Sequence, residues 1–422
     1  MFSFGPSVRI SSPVFQRQPW RRGKLRHWLA LALIAIAAAT FNDPAPAEMS
    51  SGPTAPVAAV QQQGRWSIDT ASQLIAVVED AAKEGLDPAD YRLDALRAAI
   101  ASNSTGAALD AAATASALSL AHDFAYGRID DKAAFDWYIA PQTDASLLAA
   151  NLDNAVASGR VADWLRALLP DNEQYNALKT AYAATSPSDG AARAQLRANL
   201  ERWRWMPRAL GERYIYVNIP SYRLEFIENG IQQASYNVVV GAPKTPTPQL
   251  ALQAQSVVAN PSWILPPSVL KEGGWQRKGY RVSRRSDGSL MVRQAPGPRN
   301  ALGRIKIDMP NPMAIYLHDT PYKGMFDRAD RALSHGCIRV QNIEELAGML
   351  SEGADLADAL AEPAKTRVLQ LQKSVPVYIV YFTAQADADG TVSLLSDPYR
   401  RDQALIERLD GSGEDTVWMA AR

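Results

Sequence analysis

The chain has 422 residues and carries 44 basic against 44 acidic side chains, so its formal net charge is zero. That length allows two or three domains of roughly 100–200 residues, and a hydrophobic fraction of 47% with 21% charged residues excludes wholesale disorder. Zero net charge excludes a nucleic-acid binder that works by a globally basic surface, and a single cysteine excludes an intramolecular disulfide or a multi-cysteine metal site.

The zero is a cancellation. Residues 1–26 carry Arg9, Arg17, Arg21, Arg22, Lys24 and Arg26 with no acid, and the apolar run Trp28–Phe41 follows. A basic segment, a short apolar segment and then small residues form the pattern of a secretory signal peptide, and the apolar part is short for a membrane span. Ala45-Pro46-Ala47 suits cleavage, so residues 1–47 read as a signal peptide, with an uncleaved N-terminal anchor in the inner membrane as the alternative. Removing them leaves 38 basic and 43 acidic residues, a net charge of −5. The expected location is the periplasm or cell envelope, where an unpaired cysteine is either joined to another chain or kept for its chemistry.

Residues 48–65, rich in Pro, Ser, Ala and Gln, read as a linker. From 66 to 197 apolar residues recur at three and four spacings, as in Leu74, Val77, Val78 and Ala81, which predicts a helical domain. Thr180–Gly190 is expected to be a loop. Strand-like runs begin near Arg213, and Asn229-Gly230 between two of them predicts a tight hairpin. Further strands are expected at Gln255–Ala259, Leu290–Arg293, Ala314–His318, Val377–Thr383 and Thr391–Leu395. The segment Asn260–Asn300, dense in Pro, Gly, Trp and Arg, has too little periodicity for a core element; long irregular segments in compact domains are usually functional. The fold class is therefore α+β, a mostly helical domain followed by a β-rich, sandwich-like domain over 198–384, with residues 385–422 as a C-terminal extension.

Of four histidines, His318 and His335 lie within twenty residues of the only thiol, in Tyr316-Leu317-His318-Asp319 and Ser334-His335-Gly336-Cys337-Ile338-Arg339. A thiolate attacks carbonyls, and a free thiol needs an imidazole or backbone donors to activate it. Cys337 is thus the candidate nucleophile and His318, arriving from a separate strand, the base in preference to His335. Asp319 can orient His318 by its side chain or by its backbone carbonyl. Gly336 permits a tight turn, so that peptide N–H groups of Gly336 and Cys337 can converge on an oxyanion. Arg339 can favour the thiolate or hold a substrate carboxylate. The alternatives are a zinc site from His318, His335 and Cys337, an inert buried cysteine, and Ser334 as a weaker nucleophile.

A histidine followed after fifteen residues by Ser-His-Gly-Cys resembles the signature of the bacterial L,D-transpeptidases. Arg202–Pro207, Asn260–Trp263, Pro296–Asn300 and Tyr316–Pro321 are similar to the large proteobacterial members, which place a helical scaffold ahead of the catalytic domain. The resemblance implies that Cys337 attacks the third residue of a tetrapeptide stem and releases D-alanine. An amine acceptor then resolves the thioester as a 3-3 cross-link. His318 is implied as base, the Asp319 carbonyl as its orienter, and the N–H groups of His335, Gly336 and Cys337 as the oxyanion hole. Residues 263–300 are implied as a capping subdomain, with Trp263, Tyr316, Ser334 and Asn342 as candidates for substrate binding. No metal or organic cofactor is implied, and no nucleic-acid partner. Hydrolysis of the same stem or of its cross-links, by an L,D-carboxypeptidase or amidase, uses the same residues; a non-catalytic wall-binding protein is the alternative from another class. The sequence carries Arg339 where many members have asparagine, and residues 140–198 show no peptidoglycan-binding module.

Overall fold

The computed structural model describes residues 65–102, 106–140, 145–276, 279–351 and 356–411. The leader and all but the last residue of the expected linker lie outside these. The helical part comprises α1 (Ile68–Asp80), α2 (Leu93–Ala101), α3 (Ala107–Tyr126), α4 (Leu147–Ala157), α5 (Val161–Arg166), α6 (Glu173–Ala184) and α7 (Gly190–Trp205). Ser67 starts α1 because its hydroxyl accepts the Thr70 N–H while the Thr70 hydroxyl accepts the Ser67 N–H, each at 3.1 Å. Leu74, Val77, Val78 and Ala81 are buried, as their spacing predicts, against Leu96, Leu109, Leu120 and Phe124. The predicted 180–190 loop shrinks to residues 185–189, because α6 runs on to Ala184 and Asp189 caps α7 by accepting the Ala192 N–H.

The β part runs β1 (Arg213–Asn218), β2 (Arg223–Glu228), β3 (Ile231–Gly241), β4 (Leu250–Ala259), β5 (Trp263–Ile264), α8 (Pro267–Glu272), β6 (Tyr280–Arg284), β7 (Leu290–Gln294), β8 (Ile305–Asp308), β9 (Leu317–His318), β10 (Ala332–Ser334), β11 (Ile338–Val340), α9 (Ile343–Leu350), α10 (Leu356–Ala361), β12 (Arg367–Val380), β13 (Ala384–Ala386), β14 (Val392–Leu394) and α11 (Arg401–Gly411). Asn229 and Gly230 both have positive φ, 52° and 76°, and join β2 to β3 by a two-residue turn, as predicted.

The main sheet has the order β10-β3-β11-β9-β8-β4-β12-β1-β2, and β2 also pairs with β3. The two walls of the expected sandwich are therefore one sheet closed on itself, which removes the free edge between β2 and β3. Its interior is filled by Val217, Leu224, Val238, Val257, Ile307, Leu317, Ile338 and Val377. Two departures from the predicted strands bear on the site. The expected strand Ala314–His318 is reduced to its last two residues, because Ala314 is left-handed at φ 54°. The segment expected to lack regular elements contains a three-stranded sheet, β5-β7-β6, with α8 beside it in sequence.

The described residues form one compact unit. A third core joins its helical and β parts: Tyr175, Leu196, Trp203 and Trp205 pack with Val380, Phe382, Leu405 and Leu409. Trp203 stacks on Phe382 with ring centroids 4.6 Å apart. α7 runs through the expected boundary at 197/198, and α11 closes the same core, so residues 385–411 pack into the unit rather than trailing from it. Beneath lies a buried ion pair, Arg204 Nη2 to Glu201 Oε2 at 2.7 Å, with Glu201 Oε1 accepting from the Trp205 indole and the Ile129 N–H. Full hydrogen bonding is what makes such a buried pair tolerable. No helix among the described residues is long and apolar enough to cross a membrane.

Candidate active site

β11 and β9 run parallel in the register Ile338↔Leu317 and Arg339↔His318, and β9 pairs with β8 as His318↔Lys306. Alternation along a strand sends Ile338, Leu317, Ile307 and Ile305 into the core, where all four are fully buried. The residues between them share the opposite face. Arg339, His318 and Lys306 form one row across three strands. The next row continues the same registers with Cys337, Tyr316 and Asp308. His318 is thus the diagonal neighbour of Cys337, a spacing that long or aromatic side chains can bridge.

His318 is 5% exposed, and its Nδ1 donates to the Asp319 carbonyl at 2.5 Å. That bond leaves Nε2 as the unprotonated, basic nitrogen. Burial, then the neighbouring Arg339 guanidinium, pushes its pKa down from 6.5 to about 3, against the pull of Asp319. The two orienting options for Asp319 therefore resolve in favour of the carbonyl. Its carboxylate points elsewhere, accepting the Arg304 N–H at 2.9 Å and pairing with Lys323. Gly303, at φ 63°, makes room for it: a Cβ there would lie 2.3 Å from Asp319 Oδ2.

Cys337 is partly exposed, and its Sγ faces the Ala314 carbonyl at 3.5 Å. Desolvation of the sulfur raises the thiol pKa; Tyr316, Lys306 and Arg339 oppose the rise. The Tyr316 hydroxyl interacts with both the sulfur and Trp263, which brings the first strand of the 263–300 segment to the thiol. Tyr316 also packs edge-on against His318, with centroids 5.6 Å apart, and carries Lys306 Nζ over its ring at 4.6 Å. Arg339 Nη1 contacts Met325 Sδ at 2.7 Å, while its Nε is buried with no hydrogen-bond partner.

The turn from β10 to β11 crosses the end of β3, with β10 parallel to β3 on one side and β11 antiparallel on the other. Gly336 takes φ 109°, a left-handed conformation open to glycine. Three hydroxyls hold the turn. Thr247 donates to the Gly336 carbonyl at 2.7 Å and accepts the Gly241 N–H at 2.9 Å. Thr245 donates to the Ser334 carbonyl at 3.0 Å. Ser334 donates to the Cys337 carbonyl at 2.6 Å and accepts the Gly336 N–H at 3.1 Å.

That last pair of bonds corrects two expectations. Ser334 is buried and clamps the turn, so its hydroxyl is spent on the backbone rather than on substrate. The Gly336 N–H is occupied by Ser334, so it is not free for an oxyanion. His335 is exposed and its Nε2 bonds Glu272 at the end of α8, 2.8 Å away. The three donors of the zinc alternative therefore do not converge, and among the described residues no group of three His, Cys, Asp or Glu could hold a metal ion. Asn342 is exposed and opens α9 in left-handed conformation, at the end of β11 away from the thiol. It follows the last residue of β11 whereas Cys337 precedes the first, so the whole strand lies between them. Sequence reasoning missed Lys306 and Thr247. Lys306 is an outward residue in an alternating run that pairs with Asp308 at 2.7 Å on its own strand, and only the β8–β9 register sets it beside His318; Thr247 carried no signal.

Residues 212–379 match the L,D-transpeptidase catalytic domain (YkuD), and residues 60–181 match the Scaffold domain. A curated Haemophilus influenzae protein named "Putative L,D-transpeptidase" is 30% identical over 284 residues, which are 60% of this chain and 57% of that protein. The chain thus spans a little over half the length of that relative. Among solved structures, the catalytic domain from E. faecium L,D-transpeptidase acylated by ertapenem is 16% identical, covers 41% of this chain and 99% of that one, and superposes with a TM-score of 0.23. Mycobacterium tuberculosis L,D-transpeptidase 1 is 15% identical over 40% of this chain and 61% of that one, at a TM-score of 0.21. The chain thus carries an L,D-transpeptidase catalytic domain behind a Scaffold domain.

Proposed function

We propose that the chain is a peptidoglycan L,D-transpeptidase of the cell envelope, exported by residues 1–47, with the helical part as scaffold ahead of the catalytic domain and 263–300 as its cap. The observation that carries this reading is the shared face of β11, β9 and β8, on which a lone thiol lies diagonal to an imidazole locked by the Asp319 carbonyl. Cys337 attacks the carbonyl of the third residue of a tetrapeptide stem. As the C–S bond forms, His318 Nε2 takes the thiol proton and passes it to the amine of the departing D-alanine as the C–N bond breaks. The N–H groups of His335 and Cys337 stabilise the tetrahedral oxyanion. Arg339, with an unsatisfied buried Nε, binds a carboxylate of the stem, and Lys306 with Arg339 offsets negative charge on the sulfur. Every reacting group is supplied by the chain, so the mechanism needs no cofactor.

Cys337→Ala is expected to abolish dimer formation from purified tetrapeptide muropeptides, and the wild type to gain a carbapenem adduct on the Cys337 peptide by mass spectrometry. Undiminished dimers in the variant refute the nucleophile. Tripeptide monomers without dimers would reassign the enzyme as an L,D-carboxypeptidase.

A further inference from the structure

The helical part of the chain reaches the catalytic turn. The backbone at Trp137 bridges Gln249 at the start of β4: the Tyr138 N–H donates to the Gln249 carbonyl and the Gln249 N–H to the Asp136 carbonyl, both at 2.9 Å. Gln249 Nε2 adds a bond to the Phe135 carbonyl at 2.8 Å, Arg401 pairs with Asp136, and the Trp137 ring is buried edge-on against Trp205 at 5.3 Å. The segment is therefore fixed on both sides.

What it presents to solvent is a cleft of about 310 Å³ lined by Asp136 and Tyr138 on the helical side and, among others, by Pro246, Met313, Ile315, His335 and Gly336 on the catalytic side. Gly336 is the residue before the nucleophile, and the carbonyl of Ala314, between two of the lining residues, contacts its sulfur. Tyr138 and Met313 are large apolar side chains left 45% and 44% exposed at this one place. No residue of the 263–300 segment lines the cleft, and neither does any lysine or arginine. Its carboxylate is Asp136, 43% exposed, whose Oδ2 is held by Arg401.

We infer that this cleft is where the amine acceptor enters, and that Asp136 and Tyr138 of the helical domain are specificity-determining residues for it. The inference rests on the transpeptidase reading. Charge divides the two approaches to the thiol. Lys306 and Arg339 stand on the face shared with Trp263 and Tyr316, which suits the carboxylates of the donor stem. The cleft offers the half-exposed Asp136 carboxylate and an aromatic ring, which suits a stem side chain ending in an amine. From there the acceptor nitrogen reaches the thioester on the Gly336 side: its C–N bond forms as the C–S bond breaks, its proton passes through His318 to the sulfur, and the free thiol is restored.

The test uses the full chain, a tetrapeptide stem at fixed concentration as donor, and a varied tripeptide stem ending in diaminopimelate as acceptor, which cannot itself donate. Dimer is counted by mass spectrometry, and acylation is followed separately by carbapenem adduct formation. Tyr138→Ala is expected to raise the acceptor concentration for half-maximal dimer formation about fivefold, the effect of losing one aromatic contact, with carbapenem acylation within about twofold of wild type. Tyr138→Phe should restore it. Asp136→Asn, which tolerates the left-handed φ of 55° at that position, should act in the same direction. Unchanged half-saturation in both variants overturns the inference, as does an equal fall in acylation, which would mark a structural role. Failure of the wild type to make any dimer would overturn the transfer reading itself.

Discussion

Burial sets the resting state of the nucleophile and its base. With His318 held near a pKa of about 3 and the thiol raised, the pair is neutral thiol and neutral imidazole at pH 7. Lowering the pH from 7.5 to 5 is the informative perturbation. An ordinary imidazole of pKa 6.5 would fall from about 91% to about 3% neutral, and an acylation step that needs the free base would slow about 30-fold. At a pKa near 3 the neutral fraction at pH 5 stays at about 99%, so the rate should change less than about twofold. The assay is stopped-flow acylation by a carbapenem, read as the second-order rate constant across that range. Chromophore loss reports acylation alone, which removes acceptor binding from the profile. An inflection near pH 6.5 with the 30-fold fall would refute the buried neutral base. A fall tracking thiol ionisation from higher pH would instead mean that a thiolate–imidazolium pair is the reacting form.

The same burial couples His318 to stability. Its folded pKa is depressed, so the unfolded chain binds the proton first, and stability present above pH 6.5 is lost as the pH falls toward about 3. Between pH 7 and 4.5 the loss is about 2–3 kcal/mol, to be read as the excess destabilisation of wild type over His318→Gln in urea titrations; equal losses would contradict it. Gly303→Ala drives a methyl into Asp319 at a positive φ, so it should cost about 1–3 kcal/mol and lower acylation through the displaced carbonyl, measured by melting and by carbapenem labelling. Thr247→Val keeps the shape but strips the Gly336 carbonyl and the Gly241 N–H of a partner, at about 1–3 kcal/mol for each buried group left unsatisfied. It should slow acylation more than Thr245→Val, which removes one bond to the turn, and comparable rates would argue against the Thr247 clamp.

Local patterns were legible where one short stretch carries the whole signal. Asn229-Gly230 demands positive φ at two positions in a row, and Leu74, Val77 and Val78 show a helix face by spacing alone. Cys337, His318 and His335 were legible because scarce residues clustered. What stayed hidden depends on register between distant strands. Nothing near Lys306 in sequence says that it stands beside His318, because β8 meets β9 only in the folded sheet. The closure of β2 onto β3 is invisible for the same reason. Ser334 and the Gly336 N–H were misassigned because a residue two positions from a nucleophile can serve either the substrate or the turn, and the φ of Gly336 decides which. Ala314 cut short a predicted strand because a left-handed alanine leaves no mark in composition.

The row Arg339–His318–Lys306 gives the site its polarity. Two cations flanking an imidazole disfavour its protonated form, and the same two cations favour negative charge on the diagonal sulfur. A proton taken from the thiol is therefore held poorly on His318 and passes readily to the leaving amine, while the sulfur is stabilised as it attacks. Lys306→Met tests this directly, because it removes one cation and keeps most of the stem packed over Tyr316. A charge partly screened by solvent is worth about 0.5–1 kcal/mol here, so carbapenem acylation at pH 7 should slow about two- to fivefold. Alkylation of Cys337 by iodoacetamide should shift to higher pH in the same variant, since the thiol loses a neighbour that lowers its pKa. If acylation slowed with no shift in the alkylation profile, Lys306 would be acting through Tyr316 packing rather than through its charge.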